Sequence, residues 1–360
     1  MIKTLHIKNF KSLRDVRLNL GALNIFMGAN ASGKSNIFDA LRVLQGIGNG
    51  FTAGEIFDGK PKSATSEIWE GIRGGSSHAA FKGNESEPVS FEVETALFPP
   101  TSSSRGETRK ITFAAPKDMR LPFTWTPHWL ENEKRIGMHE MTARLARSLA
   151  NMQRFEPIPA TLREYSKLQS VSRMGEHGEN FAALIQKIRG DSATKDAYLS
   201  WLKQLRPAEV DDVITLEGAV GEKMFALKEG GRVFPAPVLS DGTLRFAAIA
   251  AAFFQPDMPE LLAIEEIENG IHASRLRLLV ELLRGRAESQ ATQVIVTTHS
   301  PVVLAWLHER EYAHVFFCKR DGETGASQIL PLAEIPRFTE IAKRQPVGDL
   351  FAEGWMEAAP

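Results

Sequence analysis

Between an apolar stretch, Leu23 to Met27, and a helix-patterned stretch beginning near Asn36 lies the run Gly28-Ala29-Asn30-Ala31-Ser32-Gly33-Lys34-Ser35, which limits the possible folds of this chain more than any other segment. Glycines keep side chains out of a tight turn, so successive backbone N–H groups can point inward at an anion. A lysine at this spacing reaches the β and γ oxygens of a triphosphate, and the hydroxyl that follows it suits Mg²⁺. The spacing therefore predicts strand, loop and helix in that order, with the positive end of the helix dipole acting on the same anion. Gly28, Asn30, Gly33, Lys34, Ser35 and Asn36 are the expected nucleotide-binding residues; Lys34 is also a catalytic candidate and Ser35 a metal ligand. ATP and Mg²⁺ are the expected cofactors.

The flanking patterns agree with an α/β fold. Ile2 to Ile7 and Val16 to Leu20 alternate apolar with polar residues, as two half-buried strands joined by a turn through Asn9-Phe10-Lys11-Ser12. Ile37, Ala40, Leu41 and Leu44 recur at helical spacing behind the loop. Gly46 to Ser86 reads as irregular surface structure, and Val89 to Leu97 and Thr108 to Phe113 as a strand pair. From Pro122 to Leu205 the character changes, with Trp125, Trp129 and helical segments such as Glu140 to Arg154 and Phe181 to Ile188, as an inserted helical lobe. Strand patterns resume at Val210 to Leu216 and Lys223 to Leu227, ahead of the turn signal Glu229-Gly230-Gly231.

Composition excludes several classes. No run of about 18 apolar residues occurs and Met1 leads into no signal-peptide pattern, so a soluble, cytoplasmic protein without membrane contact is expected. Cys318, the only cysteine, rules out an intramolecular disulfide and a cysteine zinc site, and its apolar run predicts packing rather than chemistry. The net charge is −1, yet residues 101–190 carry 15 Lys and Arg against 9 Asp and Glu. A basic middle hints at a polyanionic partner such as nucleic acid, while a solvated helical surface explains it equally well.

A phosphate loop binds; hydrolysis also needs an acid near the metal and a group that orients water. Leu261 to Ile264 has the short apolar form of a buried parallel strand and ends in Glu265-Glu266. Carboxylates at the end of such a strand lie where ligands bind in an open α/β sheet. Glu265 is the candidate for holding Mg²⁺ through its water shell, and Glu266 the candidate general base or water-orienting residue. A second buried strand, Gln293 to Val296, ends at Thr297-Thr298-His299-Ser300, where His299 could hydrogen-bond the γ-phosphate or the attacking water. In Leu239-Ser240-Asp241-Gly242-Thr243-Leu244-Arg245, Ser240 and Gly242 stand at the mouth of another helix, which offers a second phosphate contact.

Taken with Ile7-Lys8-Asn9-Phe10-Lys11-Ser12-Leu13 and Glu268-Asn269-Gly270-Ile271-His272, these motifs resemble in order the ABC-type ATPase head of the SMC, RecF and OLD group. The resemblance covers residues 1 to 45 and 205 to 305, and Val347 to Gly354 is similar to the tail of stand-alone bacterial AAA-family members without a nuclease domain. It implies a P-loop NTPase fold: a mostly parallel core sheet flanked by helices, an antiparallel β subdomain and an inserted helical lobe. The expected organisation is an ATPase head in residues 1–100 and 206–360 around a mainly helical insertion, 101–205. The resemblance also implies a composite site, with nucleotide on Gly28–Ser35 of one subunit closed by Ser240 and Gly242 of a second copy, and Asn269 and His272 in the segment that crosses the interface. Glu265 replaces the usual Asp, Ile267 stands where Pro is common, and no glutamine-containing loop is found, since Gln45 falls within helical pattern.

The expected function is a Mg²⁺-dependent ATPase whose ATP-bound homodimer engages nucleic acid or nucleoprotein, in genome maintenance, DNA repair or antiviral defence. The alternative is a nucleotide-switched scaffold that holds a partner effector, a toxin or nuclease, without touching nucleic acid. A transporter subunit is disfavoured by the missing glutamine loop and by the N-terminal motif. Beyond His299, Asp321 and Glu323 sit in a Gly-containing turn, so any cutting activity is expected of a partner.

Overall fold

The computed structural model describes residues 1–61, 69–95, 109–128, 135–167, 171–205, 210–289 and 292–358. Strands are numbered along the chain. The central sheet joins Leu23–Met27 (β3), Met152–Phe155 (β7), Leu261–Ile264 (β11), Gln293–Thr298 (β12), Val315–Arg320 (β13) and Ser327–Pro331 (β14) in the order β14-β13-β3-β12-β11-β7. All its pairings are parallel except β13 with β14. Its inner strands are buried on both faces, which is why they read as unbroken apolar runs. Alternate residues divide between two cores: Ile25, Leu262, Val294 and Phe317 enter one, and Phe26, Leu261, Ile295 and Phe316 the other.

One face is covered by helix Lys34–Gly48 and by an antiparallel sheet of Ile2–Phe10 (β1), Leu13–Asn19 (β2), Ser90–Thr95 (β4), Arg109–Ala114 (β5) and Thr124–Pro127 (β6), ordered β2-β1-β4-β5-β6. The other carries helices Phe181–Arg189, Ser192–Leu205, Asp241–Ala252 and Ala273–Ser289, with a three-stranded antiparallel sheet of Val210–Glu217 (β8), Lys223–Glu229 (β9) and Arg232–Pro235 (β10). Among the described residues no helix is long and apolar enough to cross a membrane.

Two sequence expectations change. The segment read as irregular surface contains helix Ala53–Asp58, closed by a capping box between Thr52 and Glu55, and buries Ile56, Phe57 and Ile72. Local polarity hid this, because the apolar residues are few and are buried by distant elements. The stretch 101–205, expected to be mainly helical, holds more strand than that: besides β5, already read as a strand from Thr108 to Phe113, β6 extends the antiparallel sheet and β7 forms an edge of the core sheet. β7 follows helix Arg135–Ala150 after a single residue, so its four positions were absorbed into the helical pattern. Thr108, Trp129, Ala96 and Leu97 lie outside the described residues.

Candidate nucleotide site

Because β3, β12, β11 and β7 run parallel, their carboxyl ends open on the same edge of the sheet. From β3 the chain enters the phosphate loop. Gly28 has φ 147°, and a Cβ there would meet the Cys318 carbonyl oxygen at 2.1 Å, so only glycine lets the loop lie against β13. Ala31 and Gly33 also have positive φ, and Lys34 opens the helix. Lys34 Nζ donates to the carbonyls of Gly28 (2.7 Å) and Ala29 (2.8 Å), and burial lowers its pKa from the ordinary lysine value. This ammonium therefore sits in the loop as a poorly solvated cation ready for an anion. A cleft of about 250 Å³ is lined by Ser12, residues 30–36, Glu266, Thr297 and Arg320. Asn36 Nδ2 donates to Ser12 Oγ at 2.7 Å.

Glu266 faces this cleft in a left-handed conformation, φ 47°, which is uncommon for a residue with a side chain and typical of functional strain. Its backbone N–H donates to Thr297 Oγ1 at 2.9 Å, and its carboxylate accepts from Asn269 Nδ2. Glu268 Oε1 accepts from the backbone N–H of His299 at 2.6 Å and lies 3.1 Å from His299 Nδ1. That contact leaves Nε2 as the ring nitrogen free to meet a ligand. His299 is 43% exposed and not among the residues that line the cleft around Lys34.

Glu265 lies deeper. Burial raises its pKa above the usual carboxylate range, against the pull of Arg154 and then Arg73. Arg154 Nη2 stands 2.9 Å from its Oε1, and Arg73 Nη1 stands 3.8 Å from its Oε2. Arg73 also pairs with Asp39 Oδ2 at 3.2 Å and donates to the Ser35 carbonyl, while Lys11 pairs with the same Asp39 oxygen. Cys318 is buried, and burial pushes its thiol up to about 12, so packing is its role.

Ser240 and Gly242 are not brought to the Lys34 cleft. They line a separate cleft of about 610 Å³ with Gly270, Ile271, His272 and Arg275. Ser240 caps its own helix, accepting from the Thr243 N–H at 3.3 Å, and a Cβ on Gly242 would meet the Gly270 carbonyl at 2.4 Å. Both residues thus have local structural duties. Arg245 joins the two regions, donating to the Pro157 carbonyl at 2.6 Å and to the Glu266 carbonyl at 3.1 Å. Asn269, placed by the resemblance in an interface segment, holds Glu266 of its own chain. Arg73, Arg154 and Arg245 had no role in the sequence reading. Arg245 could have been found from its place beside the Ser240 motif, but no linear signal marks the other two.

The residues suit a magnesium nucleotide. Ser32 Oγ, on the lining of this cleft, is buried without a hydrogen-bond partner, and such an orphan marks a place where a polar ligand completes the bonding. Among the described residues no group of three or more His, Cys, Asp or Glu could hold a metal by itself. Mg²⁺ at a triphosphate needs only one or two protein ligands plus phosphate and water, which Ser35 and Glu265 can supply.

Comparisons with known proteins give the family and the fold. Residues 23–305 match the family described as "AAA domain, putative AbiEii toxin, Type IV TA system". A Helicobacter pylori protein named ATP/GTP phosphatase is 22% identical over 361 residues, covering 90% of this chain and 94% of that protein. An Smc head bound to the C-winged helix domain of ScpA superposes with a TM-score of 0.55 at 16% identity, covering 91% of this chain and 96% of that one. The Smc head of Pyrococcus furiosus, bound to the C-terminal domain of ScpA, gives 0.53 at 15% identity, covering 95% and 99%. At such identities these structures establish the fold alone. The family match spans most of the chain, and the chain therefore belongs to the family described as AAA domain, putative AbiEii toxin, type IV TA system, on a fold like that of the Smc heads.

Proposed function

We propose that this chain is a Mg²⁺-dependent ATP hydrolase that completes its site as an ATP-bound homodimer. The observation that carries the reading is the separation of two half-sites within one chain: Lys34, Ser35 and Glu266 line or border one cleft, and Ser240 and Gly242 another. Two copies facing each other would bring the second cleft of one against the nucleotide of the other. The loop N–H groups and Lys34 bind the phosphates, and Ser35 and Glu265 hold the metal. Bound there, Mg²⁺ neutralises charge that develops on the transferring phosphoryl group. Glu266, fixed by Asn269 and Thr297, orients and deprotonates the attacking water. His299, oriented by Glu268, hydrogen-bonds the γ-phosphate or the attacking water.

Lys34→Ala should abolish triphosphate binding in a filter or fluorescence assay. Glu266→Gln should retain binding, lower turnover at least about a hundredfold, and run as a dimer in ATP by light scattering. Turnover of Glu266→Gln at the wild-type rate sinks the role given to Glu266, and a monomer with ATP bound sinks the dimer.

For the target, one observation favours the partner-effector reading over direct nucleic-acid contact. Within the basic stretch, Lys110, Arg154, Arg163 and Arg173 pair with Glu92, Glu265, Asp241 and Asp257, all outside it. Part of the excess positive charge is therefore neutralised by acids of the same chain, which weakens the field offered to a polyanion. The related Smc heads were solved with a domain of ScpA bound, so a fold of this kind can seat a protein partner. The role in defence through a toxin or nuclease effector is part of this proposal.

A further inference from the structure

Arg154 has no place in the phosphate chemistry above, yet it reaches the metal-side carboxylate from the edge of the sheet. Its strand, β7, is parallel to β11, with Arg154 opposite Ala263, two residues before Glu265. The guanidinium meets three carboxylates: Nη2 is 2.9 Å from Glu265 Oε1 and 3.2 Å from Glu156 Oε2, and Nη1 is 3.2 Å from Glu176 Oε1. Glu265 and Arg154 are largely buried, 8% and 17% exposed at their side chains. Arg73 Nη1, 3.8 Å from Oε2, is a second cation on the same carboxylate, so Glu265 keeps a counter-charge when Arg154 leaves it.

The contact compensates charge without clamping geometry. Despite the 2.9 Å separation the atoms are not aligned for a hydrogen bond, and Glu265 Oε1 and Arg154 Nε are both left without hydrogen-bond partners. A buried pair that serves stability alone gains most from aligned, bidentate bonds, as Arg284 and Glu311 show elsewhere in the chain at 2.7 and 2.9 Å. Arg154 also has somewhere to go, because Glu156 already shares Nη2 with Glu265 and Glu176 holds Nη1. Glu176 is in turn held by Arg42 Nη1 at 3.0 and 3.1 Å, on the helix that starts at Lys34.

Resting on the proposed magnesium nucleotide site, we propose that Arg154 is a built-in counter-ion for that site: it neutralises Glu265 while no metal is present and withdraws to Glu156 and Glu176 when the metal takes that carboxylate. Arg154 is thus a positioning residue that competes with the ion. It also ties nucleotide loading to β7 and to the segment that carries Glu176.

Mn²⁺ binding to the full-length protein with ADP, followed by electron paramagnetic resonance, tests this without turnover. Arg154→Met removes the competing charge and should tighten Mn²⁺ about fivefold, while Arg154→Lys should stay near wild type. Glu176→Gln, which removes a refuge for Arg154, should weaken Mn²⁺. The metal-free Arg154→Met protein should melt at a lower temperature, and its gain on adding Mn²⁺ and ADP should exceed that of wild type. Equal or weaker Mn²⁺ affinity in Arg154→Met, with the protein folded, overturns the counter-ion role. If wild type binds ADP with no dependence on Mn²⁺, or does not bind it, the underlying site assignment falls, and this inference with it.

Discussion

At the scale of single residues, the site is built from side chains that orient other side chains. Asn269 holds the Glu266 carboxylate, Thr297 holds its backbone, and Glu268 holds His299 at both its backbone and its ring. Glu266 keeps a left-handed φ because these neighbours over-determine it. Asn269→Ala should therefore lower kcat by about tenfold to a hundredfold while leaving the ATP dissociation constant within about twofold. Steady-state kinetics beside equilibrium binding checks this, and an equal loss in both would place Asn269 in binding instead.

At the scale of elements, two contacts hold the strand ends in register with their surroundings. Helix Val347–Ala352 packs on the helix that begins at Pro301, two residues after His299, and a Cβ on Gly348 would meet the Pro301 carbonyl at 2.6 Å. Gly348→Ala should lower stability by about 1–3 kcal/mol in urea unfolding, since the opposing atom is backbone and cannot rotate away. The second contact fastens residues 308–314 to helix Ala273–Ser289 through Arg284 and Glu311. Burial pushes the Glu311 carboxyl up, but Arg284 and the His308 N–H together outweigh it and hold it below its usual range. A carboxyl lowered in the folded state adds stability above its unfolded pKa, about 4.3, and loses it as pH falls through the folded value. The stability gap between wild type and Glu311→Gln should accordingly be full at neutral pH and close in acid. A gap that widens in acid contradicts the pairing.

At the scale of the molecule, charge is paired between distant parts of the chain. Among the described residues the basic stretch gives four of its cations to acids elsewhere, and the ions around Asp39, Glu265 and Glu176 join the helix after the phosphate loop to β7. The ATP-bound Glu266→Gln protein should therefore bind labelled DNA or RNA weakly, with a shallow slope of affinity against salt. Binding titrations at two salt concentrations measure this; a steep slope, as six or more phosphate contacts produce, would return the nucleic-acid reading to first place.

Taken alone, the sequence determined the loop, the helix behind it, the buried parallel strands and the carboxylates that end them. Each is a local pattern: glycine at fixed spacing, apolar runs closed by charge, helical recurrence at Ile37, Ala40, Leu41 and Leu44. Only the tertiary structure decided that Met152–Phe155 is an edge strand of the core sheet, that residues 46–86 bury Ile56 and Phe57, and that Arg73 and Arg154 reach Glu265. Arg154 and Glu265 are more than a hundred positions apart in the chain, and an isolated arginine carries no local mark of the carboxylate it will meet. Periodicity reports what a segment buries, whereas the partner of a buried charge is fixed by which strands pair.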